Sequence, residues 1–319
     1  MKRYDIVGLG SCLVDHIAKV PRIIGPEEKI NVQAVITGFG GPTTNNLVQA
    51  ARLGLSTVWI GRIGDDSNGQ YILDAFEKEG MDTQFIEIVP GAMSSQTWIA
   101  VDQEGQRCIY MCSNITCTIT PELVRQRYED VIAGARLFHS ELCQLPLAAV
   151  LEGARIAKEH KVPVSVDYDV DVETYIHKNN LGTQRELEEL LTLTDVYKSG
   201  WSITRSLTGM DEAEQAAAQI LRRGPRMVAI TLGEAGSYLA TAEEKVRVPA
   251  IPVKTVDSTG AGDAFMGGLG YGLLQKWPLK RMGEFSNACG SYCCQEIGAQ
   301  YLGDLQEILR FLRESGLNW

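Results

Sequence analysis

Asp263 closes the run Thr255-Val-Asp-Ser-Thr-Gly-Ala-Gly-Asp263 and is followed by an apolar stretch, Ala264 to Leu274, that reads as a helix. Glycines and small residues at a helix start leave backbone N–H groups bare, with the positive end of the helix dipole behind them. That combination makes an anion site. A carboxylate beside a bound phosphate would repel it and so needs a reason to be there. One reason is to take a proton from a hydroxyl attacking that phosphate. The other local account is a helix cap, a role that Asp fills often. The run alone leaves both open.

Three more polar clusters stand out. Asp15 lies at the start of an alternating segment, Leu13 to Val20, either as a ligand-binding carboxylate or as a surface one. Gly40-Gly41-x-x-x-Asn45 precedes a helix read over Asn46 to Leu53. Its glycines would let a ligand approach the backbone, and Asn45 can both donate to and accept from hydroxyls, although an Asn cap after a Gly turn fits equally well. Thr231-Leu-Gly233-Glu-Ala-Gly236 follows a strand at 226–231, where open α/β sheets bind ligands, or simply forms a tight turn.

The elements that must position these groups alternate. From Pro121 the pattern runs helix 121–132, strand 136–140, helix 147–160, strand 162–167, helix 183–192, strand 195–199, helix 211–223 and strand 226–231. A hairpin over 233–248 follows, and two helices near 279–297 and 304–315 end the pattern. Such alternation predicts a mostly parallel sheet covered on both faces. Segments 12–18, 31–37, 95–101 and 107–112 read as strands of a separate small sheet inserted in a single domain over 1–319. The opening Met1 to Gly10 places basic residues before apolar ones, but Asp5, Gly8 and Gly10 break any signal-peptide core, so it reads as a first buried strand.

At 319 residues and 45% hydrophobic, the chain can bury a large core. A net charge of −10 gives no footprint for nucleic acid, and no apolar run reaches membrane-spanning length. The eight cysteines show no paired Cys-x-x-Cys spacing and read as reduced thiols of a cytoplasmic protein.

Taken together, in order and spacing, the motifs resemble the ribokinase-like (PfkB-type) carbohydrate kinases over essentially the whole chain. Gly10-Ser-Cys-Leu-Val-Asp15 is similar to that family's first substrate segment, Gly40 to Gly54 to its first signature and Asp257-Ser-Thr-Gly-Ala-Gly-Asp263 to its second. The resemblance implies a three-layer α/β sandwich with a small β-sheet lid. It implies an ATP-dependent sugar kinase with Asp263 as general base and Gly260, Ala261 and Gly262 as the anion hole. Asp15, Gly40, Gly41, Asn45 and Glu141 would hold the sugar, while Thr231, Gly233, Gly236 and Asn287 would flank the nucleotide. Mg2+ is implied as cofactor. A monovalent cation such as K+ would sit by Asp257, itself also readable as an Asx-turn residue, and a homodimer would form through the lid.

Two departures from the family pattern matter. Its Asn-x-x-Glu motif, which organises magnesium through water, falls on Gly200 and Ile203 here, leaving Asp167 and Asp169 as the nearby carboxylates. The lysine of its Gly-Gly-Lys-Gly is also absent, so Thr43 and Thr44 are expected to take up space at the sugar site. These departures point to a primary alcohol of a ketose or related sugar. The alternatives are a nucleoside kinase, with Trp98 and Tyr110 offering surface to a base, and a catalytically silent sugar or nucleotide sensor.

Overall fold

In the computed structural model, which describes residues 4–319, nine strands form one sheet. Their order across the sheet is Lys245–Val248, Ser237–Ala240, Met227–Thr231, Val196–Gly200, Val164–Tyr168, Leu137–Leu142, Ile6–Leu9, Thr57–Gly64 and Ile86–Val89. The seven strands from Met227–Thr231 onward run parallel, and the hairpin at the other edge is antiparallel to its neighbour. Alternation along each strand sends side chains to opposite faces. Val7 and Leu9 join one cluster with the helices Pro121–Ala133, Leu147–Glu159 and Gln184–Leu193. Ile6 points the other way, toward Pro42–Arg52, Leu279–Cys293 and Leu305–Glu314. The result is the expected three-layer α/β arrangement.

The small sheet has the order Ala34–Gly40, Leu13–Lys19, Gln96–Val101, Arg107–Cys112. Asp15 pairs with Thr97 on one side and Gly38 on the other, so those residues share one face. His16, Trp98 and Tyr110 lie on the reverse face, with the His16 and Trp98 rings stacked at 4.5 Å.

Several boundaries differ from expectation. The strand placed at 31–37 begins at Ala34 and runs on through Gly38 to Gly40, because the Asp15 strand offers a ladder that far. The helix expected from Asn46 begins at Pro42, where proline suits a first helical position. Asn45 is therefore inside the helix and not its cap. The edge strand Ile86–Val89 and the short helix Trp201–Thr208 were not anticipated; neither has a periodic run long enough to declare itself. In the strand read at the N-terminus, residues 1–3 lie outside the described residues.

Gly41 caps the helix Pro42–Arg52 with φ +107, and a Cβ there would collide with the Ser11 carbonyl oxygen. Gly41→Ala is accordingly expected to lower stability by about 1–3 kcal/mol from the backbone conformation alone, with more from the collision. Urea unfolding measures this, and an unchanged midpoint would contradict it.

Candidate functional site

Asp263 is the third residue of the helix Ala261–Leu274, whose cap, Gly260, has left-handed φ +79. A Cβ at 260 would sit 2.7 Å from the Ala299 Cα, so the turn tolerates only glycine there. Ala261 N–H turns back to Ser258 O at 3.3 Å, which engages one of the three expected anion-hole donors within the turn. No hydrogen bond to a described residue takes up the N–H groups of Gly260 and Gly262.

The Asp263 carboxylate is buried and receives Asn45 Nδ2 at 2.7 Å. Gln300 Nε2 donates in turn to Asn45 Oδ1 at 2.6 Å, which fixes the amide's orientation. The helix Pro42–Arg52 thus reaches the start of Ala261–Leu274 through one side chain, 218 residues away in sequence. Oxygens of Asp167, Asp169 and Asp263 lie within 4.8 Å of one another. Burial, and then the Asp169 charge, push the Asp263 pKa well above the usual carboxylate range, while Lys198 and the Asn45 bond pull it down.

The turn borders two cavities. On one side Thr259 shares a space of about 530 Å³ with Asp15, Phe39 and Gln300. On the other, Ser258, Ala261 and Gly262 line a space of about 860 Å³ with Thr231, Gly233 and Gly236. Gly236 has φ +92, and a Cβ there would lie 2.5 Å from Ala250 N. Arg107 of the small sheet donates to Thr259 Oγ1 at 2.6 Å, tying that sheet to the turn.

Not every expected residue faces open space. Asp15 does, lining the smaller cavity; it accepts the Thr97 hydroxyl, and burial raises its pKa. Gly40 packs against that carboxylate, where a Cβ would strike it. Glu141 is fully buried, accepting Ser11 N–H at 2.7 Å and the hydroxyls of Ser11 and Thr43. Burial lifts its pKa to about 7. It therefore braces the Ser11 and Thr43 segments. The expectation for Thr43 and Thr44 is corrected as well. Both are buried, Thr43 Oγ1 donates to Glu141 and Thr44 Oγ1 donates to Ser11 O at 2.8 Å, so both hydroxyls are engaged within the protein.

Asn287 lines the larger cavity, but its amide donates to Val248 O and Pro249 O, both at 3.0 Å, anchoring the hairpin exit. Asp257 accepts Thr259 N–H and Gly298 N–H, each at 2.9 Å, along with the Thr259 hydroxyl. Burial would raise its pKa, but these bonds hold it below the ordinary value. An Asx turn accounts for Asp257 as it stands. Trp98 and Tyr110 lie on the face away from Asp15, so they cannot flank a base held beside it. Sequence reasoning overlooked Lys198. Its signal was a lysine at the centre of Val196–Gly200, a short strand flanked by strands on both sides.

A family model described as pfkB family carbohydrate kinase matches residues 4–305. The ribokinase of Haemophilus influenzae is 30% identical over 98% of this chain and 100% of its own length. The bifunctional ribokinase/ribose-5-phosphate isomerase A of Fructilactobacillus sanfranciscensis is 29% identical over 92% of this chain, which spans only 53% of that longer protein. Among solved structures, that of Arabidopsis thaliana ribokinase complexed with ribose and ATP superposes with a TM-score of 0.84 at 23% identity, covering 98% of this chain and 99% of that one.

The raised Asp263 pKa has a sign that can be checked. A carboxyl that ionises with more difficulty folded than unfolded costs stability once pH passes its unfolded value of about 3.9. Asp263→Asn keeps an acceptor for Asn45 and removes that cost. Its thermal midpoint should exceed the wild type's at pH 8, with the gap closing toward pH 4. A variant less stable than wild type at pH 8 would count against this electrostatic account.

Proposed function

The chain belongs to the pfkB family of carbohydrate kinases, and on that premise we propose that it transfers the γ-phosphoryl group of ATP to a primary hydroxyl of a sugar, with Asp263 as the general base. The observation that carries the reading is the pairing of a buried carboxylate with bare N–H groups on one helix start. Its raised pKa moves it toward the operating pH, where a base is most effective. The sugar is assigned to the cavity with Asp15 and the nucleotide to the one with Thr231, Gly233 and Gly236. The acceptor hydroxyl, oriented by Asn45, loses its proton to Asp263 as it attacks. Charge developing on the transferred group is met by the N–H groups of Gly260 and Gly262 and by the helix dipole. The four-stranded sheet acts as a lid over the sugar, with Arg107 joining it to the turn.

Magnesium is expected of such a kinase, yet Gly200 and Ile203 offer it no side-chain oxygen. Asp167, the buried carboxylate nearby, is already paired with Lys198 at 2.5 Å. In place of the Asn-x-x-Glu motif, the unpartnered Oδ1 of Asp167 and the carboxylate of Asp169, which lies within 4.8 Å of Asp167 and Asp263, are the side-chain oxygens that would hold the ion's water shell.

Absence of the family's lysine after Gly41 supports an acceptor other than ribose, and the missing Asn-x-x-Glu at Gly200 and Ile203 supports a ketose. The eight cysteines are unpaired, which supports a reducing, cytoplasmic setting. The reverse face of the lid exposes Val35, Trp98 and Tyr110, apolar area that a second copy of the chain would cover.

Two measurements test this reading. Asp263→Ala should cut ADP formation by about 10²–10⁴-fold while the fold survives, and a panel of ketoses, ribose and deoxyribose should give the highest kcat/KM with a ketose. Full activity in the variant would sink the base assignment, and preference for ribose would sink the ketose. Separately, Val35→Lys with Tyr110→Glu should halve the mass seen by light scattering. A wild type already monomeric would refute the lid dimer.

A further inference from the structure

Lys198 is the one lysine or arginine buried among the described residues, at 3% exposure. Its Nζ donates to Asp167 Oδ2 at 2.5 Å, its one hydrogen bond to a described residue. An ammonium carries three donors, so two remain unspent in a place where burying a charge costs several kcal/mol. Burial alone would discharge it. The carboxylates of Asp167, Asp263 and Asp169 more than offset that and keep its pKa above the ordinary lysine value.

The position of the ammonium is specific. A Cβ on residue 262 would lie 3.0 Å from Nζ, so glycine at 262 is what admits the lysine against the turn. The same residue lines the larger cavity. Gly200 and Ile203, the positions lacking magnesium-organising side chains, follow on the same strand and on the helix after it. A fixed cation thus stands two residues before the first position of the absent motif.

We propose that Lys198 is a built-in cation of the phosphoryl site, its free N–H donors engaging terminal phosphate oxygens of the bound nucleotide. It supplies charge neutralisation that the altered magnesium shell does not. The inference rests on the nucleotide reading of the larger cavity.

Calorimetric titration of ATP and AMP in EDTA, into wild type, Lys198→Met and Lys198→Arg, tests it. Wild type should bind ATP without a divalent cation. Lys198→Met should weaken ATP by about 10- to 100-fold, the worth of a charge-assisted hydrogen bond. AMP, which lacks the terminal phosphates, should bind unchanged, and Lys198→Arg should retain most of the ATP affinity. Equal ATP affinity in wild type and Lys198→Met overturns the proposal. So does an equal loss for ATP and AMP, which marks a lysine that only supports the fold. Because Lys198→Met leaves Asp167 buried and unpaired, the double variant with Asp167→Asn, measured against Asp167→Asn alone, gives the same comparison if the single variant does not fold. Wild type that binds no nucleotide at all would refute the cavity assignment and this inference with it. Wild type that binds ATP alongside an unaffected Lys198→Met variant would refute the inference alone.

Discussion

A carboxylate held out of water beside other carboxylates is the constraint around which this molecule is arranged. Asp263, Asp167 and Asp169 converge within 4.8 Å, and two of the three are buried. Each ionised group in such a place costs several kcal/mol unless countered. The counterweights come from different parts of the chain: a helix dipole from Ala261–Leu274, an amide from Pro42–Arg52 and an ammonium from Val196–Gly200. A parallel sheet is suited to bring them together, because its strand ends and helix starts gather on one edge.

Close approach does the rest. Gly41, Gly236, Gly260 and Gly262 each sit where a Cβ would press on backbone or on a charged group. They are spread over 222 positions of sequence, and Gly236 and Gly262 line the larger of the two cavities that meet at the turn Ser258–Gly262. Several of the expected site residues are hydrogen-bonded within the protein. Glu141 and Thr43 close a buried hydrogen-bonded knot with Ser11, and Asn287 pins the hairpin exit. A buried polar network that is fully paired stiffens its surroundings, and here it stiffens the walls of the cavities.

Much of this was legible in the sequence, for identifiable reasons. Period-2 and period-3.6 runs from Pro121 onward gave the core strands and helices to within a few residues, because both faces of the sheet are covered and the pattern is strong. The Asp257–Asp263 run was legible because its small residues have few structural uses in combination. The start of the Pro42 helix was hidden, since Gly41-Pro42 reads as a turn until the backbone shows that glycine caps and proline opens the helix. The bonds by which Thr43, Thr44 and Glu141 join Ser11 and one another were hidden because residue type does not encode direction. Lys198 was passed over for a related reason: a lysine in a strand usually means solvent, and only its neighbours in space show that it is enclosed.

The hydrogen bond from Asn45 to Asp263 spans 218 positions, and the one from Gln300 to Asn45 spans 255. A chain emerging from the ribosome can form most of its parallel sheet early, but the Asn45 amide at the Asp263 carboxylate gains its Gln300 partner only when that segment has arrived. Contacts this distant in sequence form late. One amide side chain thus couples the helix Pro42–Arg52, the start of Ala261–Leu274 and the segment bearing Gln300.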